Sequence, residues 1–215
     1  MSKSPMLRNV AVLLALAAGT ACAQNWEAGV IGGWGYSPSM NVKAGSASAS
    51  TGLSQGGVVG VFGGEDTYDH LGAEARYLYQ YSDLKLSSGG TTVHFGAHTH
   101  IVGGEFLLHL RPREATIRPF VLFGGGIKVL QGTGIESAGQ PLSRFAALTA
   151  TREILPTADA GVGVKFNFRR HVRFRVEADD FISPSPSKVI APAPGASMGG
   201  WWNDIVGLGA ISLTW

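Results

Sequence analysis

The stretch "HFGAHTH" carries His94, His98 and His100, half of the chain's 6 histidines, and alternating imidazoles are raw material for a metal site. On an extended strand the three share one face, because side chains alternate with a period of two. A rise of about 3.3 Å per residue separates positions four apart by about 13 Å. Only His98 and His100, about 7 Å apart on the same rise, could share an ion, and then only with help from another strand. Further along, Phe106, Leu108 and Leu110 form an apolar face with Glu105 opposite. The histidines therefore point with the apolar residues unless a bulge at Gly103-Gly104 switches faces. His98 and His100 are the only metal candidates, and the plainer reading makes them polar residues at a strand end. No cofactor is expected.

Other chemistry is sparse. A catalytic nucleophile needs a base within hydrogen-bond reach, and no His-x-Ser pair falls on a late strand. Ser212 lies in the last apolar segment and His171 in a short turn. There is no GxSxG, HExxH or CxxC motif, and "FGGGIK" lacks the Gly-Lys-Ser/Thr ending of a phosphate loop. The pair Asp179-Asp180 points to opposite faces of a strand, which prevents joint acid–base work. The chain is read as non-enzymatic, with no catalytic residues.

The elements that position these residues are bounded by the two ends of the chain. Residues 1–23 contain Lys3, Arg8, the apolar run "VAVLLALAAG" and Ala21-Cys22-Ala23, the three parts of a cleaved export signal. The run is about half the roughly 20 residues a spanning helix needs. An acylated Cys22 is the alternative, disfavoured by Gly19 where a larger aliphatic residue is usual. Cleavage after Ala23 removes Lys3 and Arg8, so 17 basic residues become 15, equal to the 15 acidic ones. A neutral mature chain does not suit nucleic acid. It also lacks cysteine, so no disulfide staples it. Residues 24–215 are read as one domain.

Within that domain the pattern is alternation. Trp26, Ala28, Val30, Trp34 and Tyr36 share one face. Leu71, Ala73, Ala75, Tyr77, Tyr79 and Tyr81 share another, opposite Glu74, Arg76 and Gln80. Eight such segments are drawn, at 25–36, 53–64, 70–82, 91–110, 116–130, 154–168, 171–182 and 200–215, all of period two and none helical. Short turns ("GEDTYDH", "RPREAT", "RRH") alternate with long loops rich in Ser, Ala, Gly and Pro, read as small and flexible. An all-β, antiparallel up-and-down transmembrane β-barrel of eight strands has this plan, with short turns on the periplasmic side.

Such a barrel turns its apolar parity outward and its polar parity inward. Glu74, Arg76, Lys128, Asp159, Lys165, Arg173, Arg175, Glu177 and Asp179 would then converge in a lumen just wide enough for side chains to fill it. Mixed charge in that space is read as a salt-bridged plug. The Tyr and Trp residues fit interfacial girdles. The final "IVGLGAISLTW" places Ile211, Leu213 and Trp215 on one face, ending the chain on an aromatic ring.

Three stretches resemble the OmpA/OmpX-type family of small outer-membrane β-barrels. "TIRPFVLFGGGIKV" is similar to the family's Arg-x-Arg-Pro-Tyr strand opening, with Phe120 for Tyr. "GVGVKFNFRRHVRFRVEADDF" resembles its hairpin with charged lumen residues. "GLGAISLTW" resembles its C-terminal assembly signal, here Ile211, Leu213 and Trp215. The resemblance implies a monomer in the bacterial outer membrane, contacting membrane lipid and lipopolysaccharide, inserted by the barrel-assembly machinery, with function in the long loops. A soluble lipocalin-like barrel with its apolar parity inward, or a narrow pore, are the alternatives.

Overall fold

The computed structural model describes residues 25–137 and 139–215; the expected export signal at 1–23 lies outside them. The strands are β1 (Asn25–Tyr36), β2 (Met40–Ala44), β3 (Ala47–Leu53), β4 (Gly56–Asp66), β5 (Leu71–Tyr81), β6 (Leu84–Ser88), β7 (Thr91–Phe95), β8 (Ala97–His109), β9 (Ile117–Gly132), β10 (Ala146–Leu148), β11 (Arg152–Arg169), β12 (Val172–Pro184), β13 (Ile190–Pro192), β14 (Ala196–Met198) and β15 (Trp201–Thr214).

Eight of them close a barrel in the order β1-β15-β12-β11-β9-β8-β5-β4, and every neighbouring pair is antiparallel. β1 pairs with both β4 and β15, and Trp26 and Trp215 exchange backbone hydrogen bonds at 3.2 Å. Closure leaves the barrel no strand edge, which lipid could not satisfy. The all-β, eight-stranded, up-and-down barrel read from the period-two pattern is the architecture observed.

Side-chain direction follows parity. Val30, Trp34, Val61, Val102, Phe106, Phe123, Val162, Val176 and Ile211 are exposed on the outer wall, while Glu74, Arg76, Lys128, Lys165 and Arg175 are buried inside. This inverts a water-soluble barrel, and it excludes the lipocalin-like arrangement, which needs the apolar set within.

The long connections differ from the expected flexible loops. Three of them build a five-stranded sheet, β14-β2-β3-β6-β7, and two contribute the small β10-β13 sheet. The segment expected at 53–64 therefore begins in the barrel at Gly56, with Leu53 belonging to β3. The segment at 91–110 is two strands broken at Gly96. Tight turns make this possible: Gly45 (φ 61°) joins β2 to β3, and Gly89-Gly90 (φ 57° and 81°) join β6 to β7. Positive φ costs glycine little and suits two-residue hairpins. Val42, Leu53, Leu84, Leu86, Phe95, Leu130, Phe145, Leu148, Ile190 and Trp202 form the buried apolar core under this cap. Glu153 anchors the last long connection, its carboxylate accepting from the backbone N–H groups of Ser187 (3.1 Å), Lys188 (2.8 Å) and Val189 (3.3 Å).

Inside the wall, two glycines make room for rings. A Cβ on Gly29 would lie 2.7 Å from the Phe62 ring, and one on Gly163 would strike Phe120. Both rings flank the Arg175 guanidinium, at 4.3 Å and 5.7 Å. Gly29→Val should therefore overpack the lumen and cost about 1–3 kcal/mol, read as a lower urea midpoint for the folded barrel in lipid vesicles. Gly207→Ala is the control, because nothing lies within 4 Å of its added Cβ.

Candidate functional site

The lumen is layered along the barrel axis. Nearest the short turns, Glu27 of β1 meets Lys165 of β11 at 2.8 Å and Arg173 of β12 at 3.0 Å. Asp66, at the end of β4, meets Arg118 of β9 at 2.6 Å and Arg173 at 3.1 Å. Ser212 of β15 donates to Glu27 at 2.7 Å. Each of these residues has inward parity on a different strand, so the layer ties six strands together.

The middle layer is built on two arginines. Arg76 of β5 reaches Glu74 on its own strand (2.8 Å), Glu105 on β8 (2.5 Å), and Glu177 (3.2 Å) and Asp179 (2.7 Å) on β12. Arg175 pairs with Glu74 at 2.7 Å and Glu177 at 2.9 Å. The planar fork of a guanidinium can serve several carboxylates at once, which a point-charge ammonium cannot do as well. Asp159 is buried in the same layer but has no ion-pair partner within 4 Å among the described residues.

Beyond it, Ile31, Val58, Leu78, Ile101, Phe181, Val206 and Leu208 form an apolar layer. Then Lys128 of β9 pairs with Asp204 of β15, which also accepts from Ser37 and, at 2.9 Å, from the Trp202 indole N–H. The Lys128 ammonium lies 5.3 Å from the centre of the Trp202 ring. Towards the short turns, a cavity of about 10 Å³ lined by Glu27, Asp66, Glu74, Leu107 and Lys165 is large enough for about one water.

The nine residues singled out from sequence all point into the lumen. Lys128 is separated from the rest by the apolar layer, and Asp159 lies outside the ion pairs. Glu27, Asp66, Glu105, Arg118 and Asp204 complete the network and were not in that set. Their inward parity was legible: Glu27 alternates with Trp26 and Ala28, and Glu105 with Phe106.

The histidines are placed differently from the single strand face expected. Gly96 puts His94 in β7, opposite Lys85 in the cap, while His98 and His100 lie on β8. The β5–β8 register runs without a shift through Gly103 and Gly104, so no bulge turns them inward. They face outward against Tyr77, Tyr79 and Tyr81, with Tyr77 Oη and His100 Nδ1 sharing a 2.8 Å hydrogen bond. Among the described residues, no group of three or more His, Cys, Asp or Glu is arranged to hold a metal ion. Ser212 and His171 are likewise separate: the serine donates to Glu27, and His171 Nδ1 bonds the Thr214 carbonyl at 2.9 Å. Asp180 faces outward and accepts from Asn203 at 2.6 Å, opposite to Asp179.

The sequence profile of the outer membrane protein beta-barrel domain matches residues 10–183. The chain belongs to this family. Solved structures share its fold at low identity. The outer membrane protein OprG from Pseudomonas aeruginosa superposes with a TM-score of 0.57 at 10% identity, over 90% of this chain and 96% of that one. Neisserial surface protein A gives a TM-score of 0.53 at 7% identity, over 87% and 95%. At these identities the likeness concerns the fold alone. No curated protein matches the sequence.

Family membership accounts for the wall, and the ion pairs inside it can be tested directly. Arg76→Ala would leave Glu105 and Asp179 without an ion-pair partner and Glu74 and Glu177 with Arg175 alone, and removing one partner of a buried ion pair costs about 3–5 kcal/mol. The variant should unfold in urea well below the parent, with Arg76→Lys intermediate. Equal midpoints for all three would show that the pairs add no stability.

Proposed function

We propose that this chain is a non-enzymatic surface protein of the bacterial outer membrane, its barrel an anchor and its extracellular cap the part that meets partners. The observation that carries this reading is the filled lumen: two charged layers, an apolar layer and the Lys128–Asp204–Trp202 cluster follow one another beneath a folded cap. A substrate path would have to break buried ion pairs in each charged layer. No nucleophile among the residues considered above has a base beside it, and a folded cap presents a defined surface to another molecule.

The outer rim suits the lipopolysaccharide leaflet. His98, Gln131 and Arg152 stand in register on β8, β9 and β11 and share the outward face. Together with Tyr77, Tyr79 and Tyr81 they form an aromatic and polar belt at headgroup level. At the other end, Ile211 and Leu213 on the outer face of β15, and Trp215 just after it, are exposed, available to the assembly machinery as a signal. Residues 1–23 would direct export, and the barrel would act as a monomer.

Planar-bilayer recording tests the plug. The refolded protein should show no discrete conductance steps, and Arg76→Ala should open brief, irregular ones. Stable steps from the unaltered protein would replace the anchor reading with a pore.

A further inference from the structure

The charged residues outside the lumen are unevenly placed. The turn between β8 and β9 carries Arg111 and Arg113, and the end of β11 with its turn into β12 carries Arg169 and Arg170. Pairing of β9 with β11 sets these turns side by side. Between them is a pocket of about 380 Å³ at the mouth of the lumen, with Arg113, Glu114, Asn167, Arg169, Arg170 and the lumen-facing Arg173 on its walls. Its frame is built rather than fortuitous. Asn167 Nδ2 donates to the carbonyls of Arg113 (3.0 Å) and Ala115 (2.8 Å), tying one turn to the other's strand. Arg113 is held by the Thr67 carbonyl at 3.1 Å and by Asp69 at 3.5 Å. Arg169 and Arg170 are exposed and have no ion-pair partner within 4 Å among the described residues.

A second feature lies on the outer wall of the same strands. On the outer wall of β9, β11 and β12 runs an open apolar groove of about 500 Å³, lined by Leu110, Pro119, Val121, Val162, Val164 and Val176. Leu110 directly precedes Arg111, and its N–H donates to the Pro119 carbonyl at 2.8 Å. Phe168 is 66% exposed at this rim, edge-on to Phe174 at 5.7 Å, with the Arg169 guanidinium 5.8 Å from the Phe168 ring centre. Outward aromatic rings with arginines beyond them mark the level where hydrocarbon gives way to headgroups.

We propose that the arginine pocket binds the phosphate of an anionic phospholipid from the periplasmic leaflet, whose acyl chain lies along the apolar groove of the same strands. Guanidinium groups match the paired oxygens of a phosphodiester. Headgroup and chain sites start from the same turn, which a free anion would not exploit. The assignment rests on the short turns facing the periplasm, as the barrel reading places them.

The test uses the full barrel refolded in neutral detergent, with retained lipid counted by native mass spectrometry. The probes are phosphatidylglycerol, phosphatidylcholine and inorganic phosphate. Phosphatidylglycerol should be retained over phosphatidylcholine, should be lost as salt rises, and should bind roughly tenfold more weakly to Arg169→Ala/Arg170→Ala. The charge-preserving Arg169→Lys/Arg170→Lys should keep most of the preference. Equal retention of the two lipids, or an unchanged double-alanine variant, would overturn the proposal. Displacement of phosphatidylglycerol by inorganic phosphate at matched concentration would also overturn it, making the pocket a free-anion site. Heat-modifiable mobility on gels reports barrel folding separately, so a failure of the fold is distinguishable from a failure to bind lipid.

Discussion

Closure of the hydrogen-bond ladder between β1 and β15 is the constraint on which the other features depend. Hydrocarbon offers no partner to a backbone N–H or C=O, so the first and last barrel strands must find each other across nearly the whole chain. They do so over ten aligned positions, from Glu27 opposite Thr214 to Tyr36 opposite Ile205. Once the ladder is closed, alternation leaves no freedom: one parity meets lipid and the other is enclosed. A slip of one residue in any strand would expose its charges to lipid and bury its apolar set. The ion pairs add a further penalty to such a slip, because Arg76 and Asp66 bond to residues on other strands only in the observed register.

Enclosing charge is expensive unless it is paired and hydrogen-bonded. The lumen meets this cost by geometry rather than by number. In the middle layer Arg76 serves four carboxylates and Arg175 two, and Phe62 and Phe120 pack against the Arg175 guanidinium. Those rings fit because Gly29 and Gly163 leave the wall bare beside them. Glycine, a weakness in an ordinary strand, is here a condition for filling a narrow interior.

The cap extends the same logic into water. Beyond the membrane the strands no longer need an apolar outer face, so the chain can fold hairpins back over the mouth and bury a conventional core. Trp202 joins the two regimes. It belongs to the cap's apolar core, and its N–H reaches Asp204 in the outermost lumen cluster. A movement of the cap would therefore be felt at the Lys128–Asp204 pair.

How much of this was written in the sequence depends on the range of the interaction. Period-two alternation is local, so the eight barrel strands, their inward residues and the order of short and long connections could be read directly. So could the inward direction of Glu27 and Glu105, from the parity of their neighbours. The cap hairpins also had a local signal, Gly89-Gly90 between alternating runs, but their small Ser, Ala and Thr side chains resemble loop composition, and their pairing joins segments far apart in the chain. The break at Gly96 could not be read, because nothing local separates a strand that changes sheets from one that continues. Nor could the partners of each charge. Parity says that Arg76 points inward, but closure, register and barrel radius decide that it meets Asp179, while Asp159 in the same layer does not pair. The sequence by itself determined which face of each strand would be polar, since that follows from neighbours two residues away. Only the tertiary structure decided which charges meet, since that requires eight strands to close into one ring.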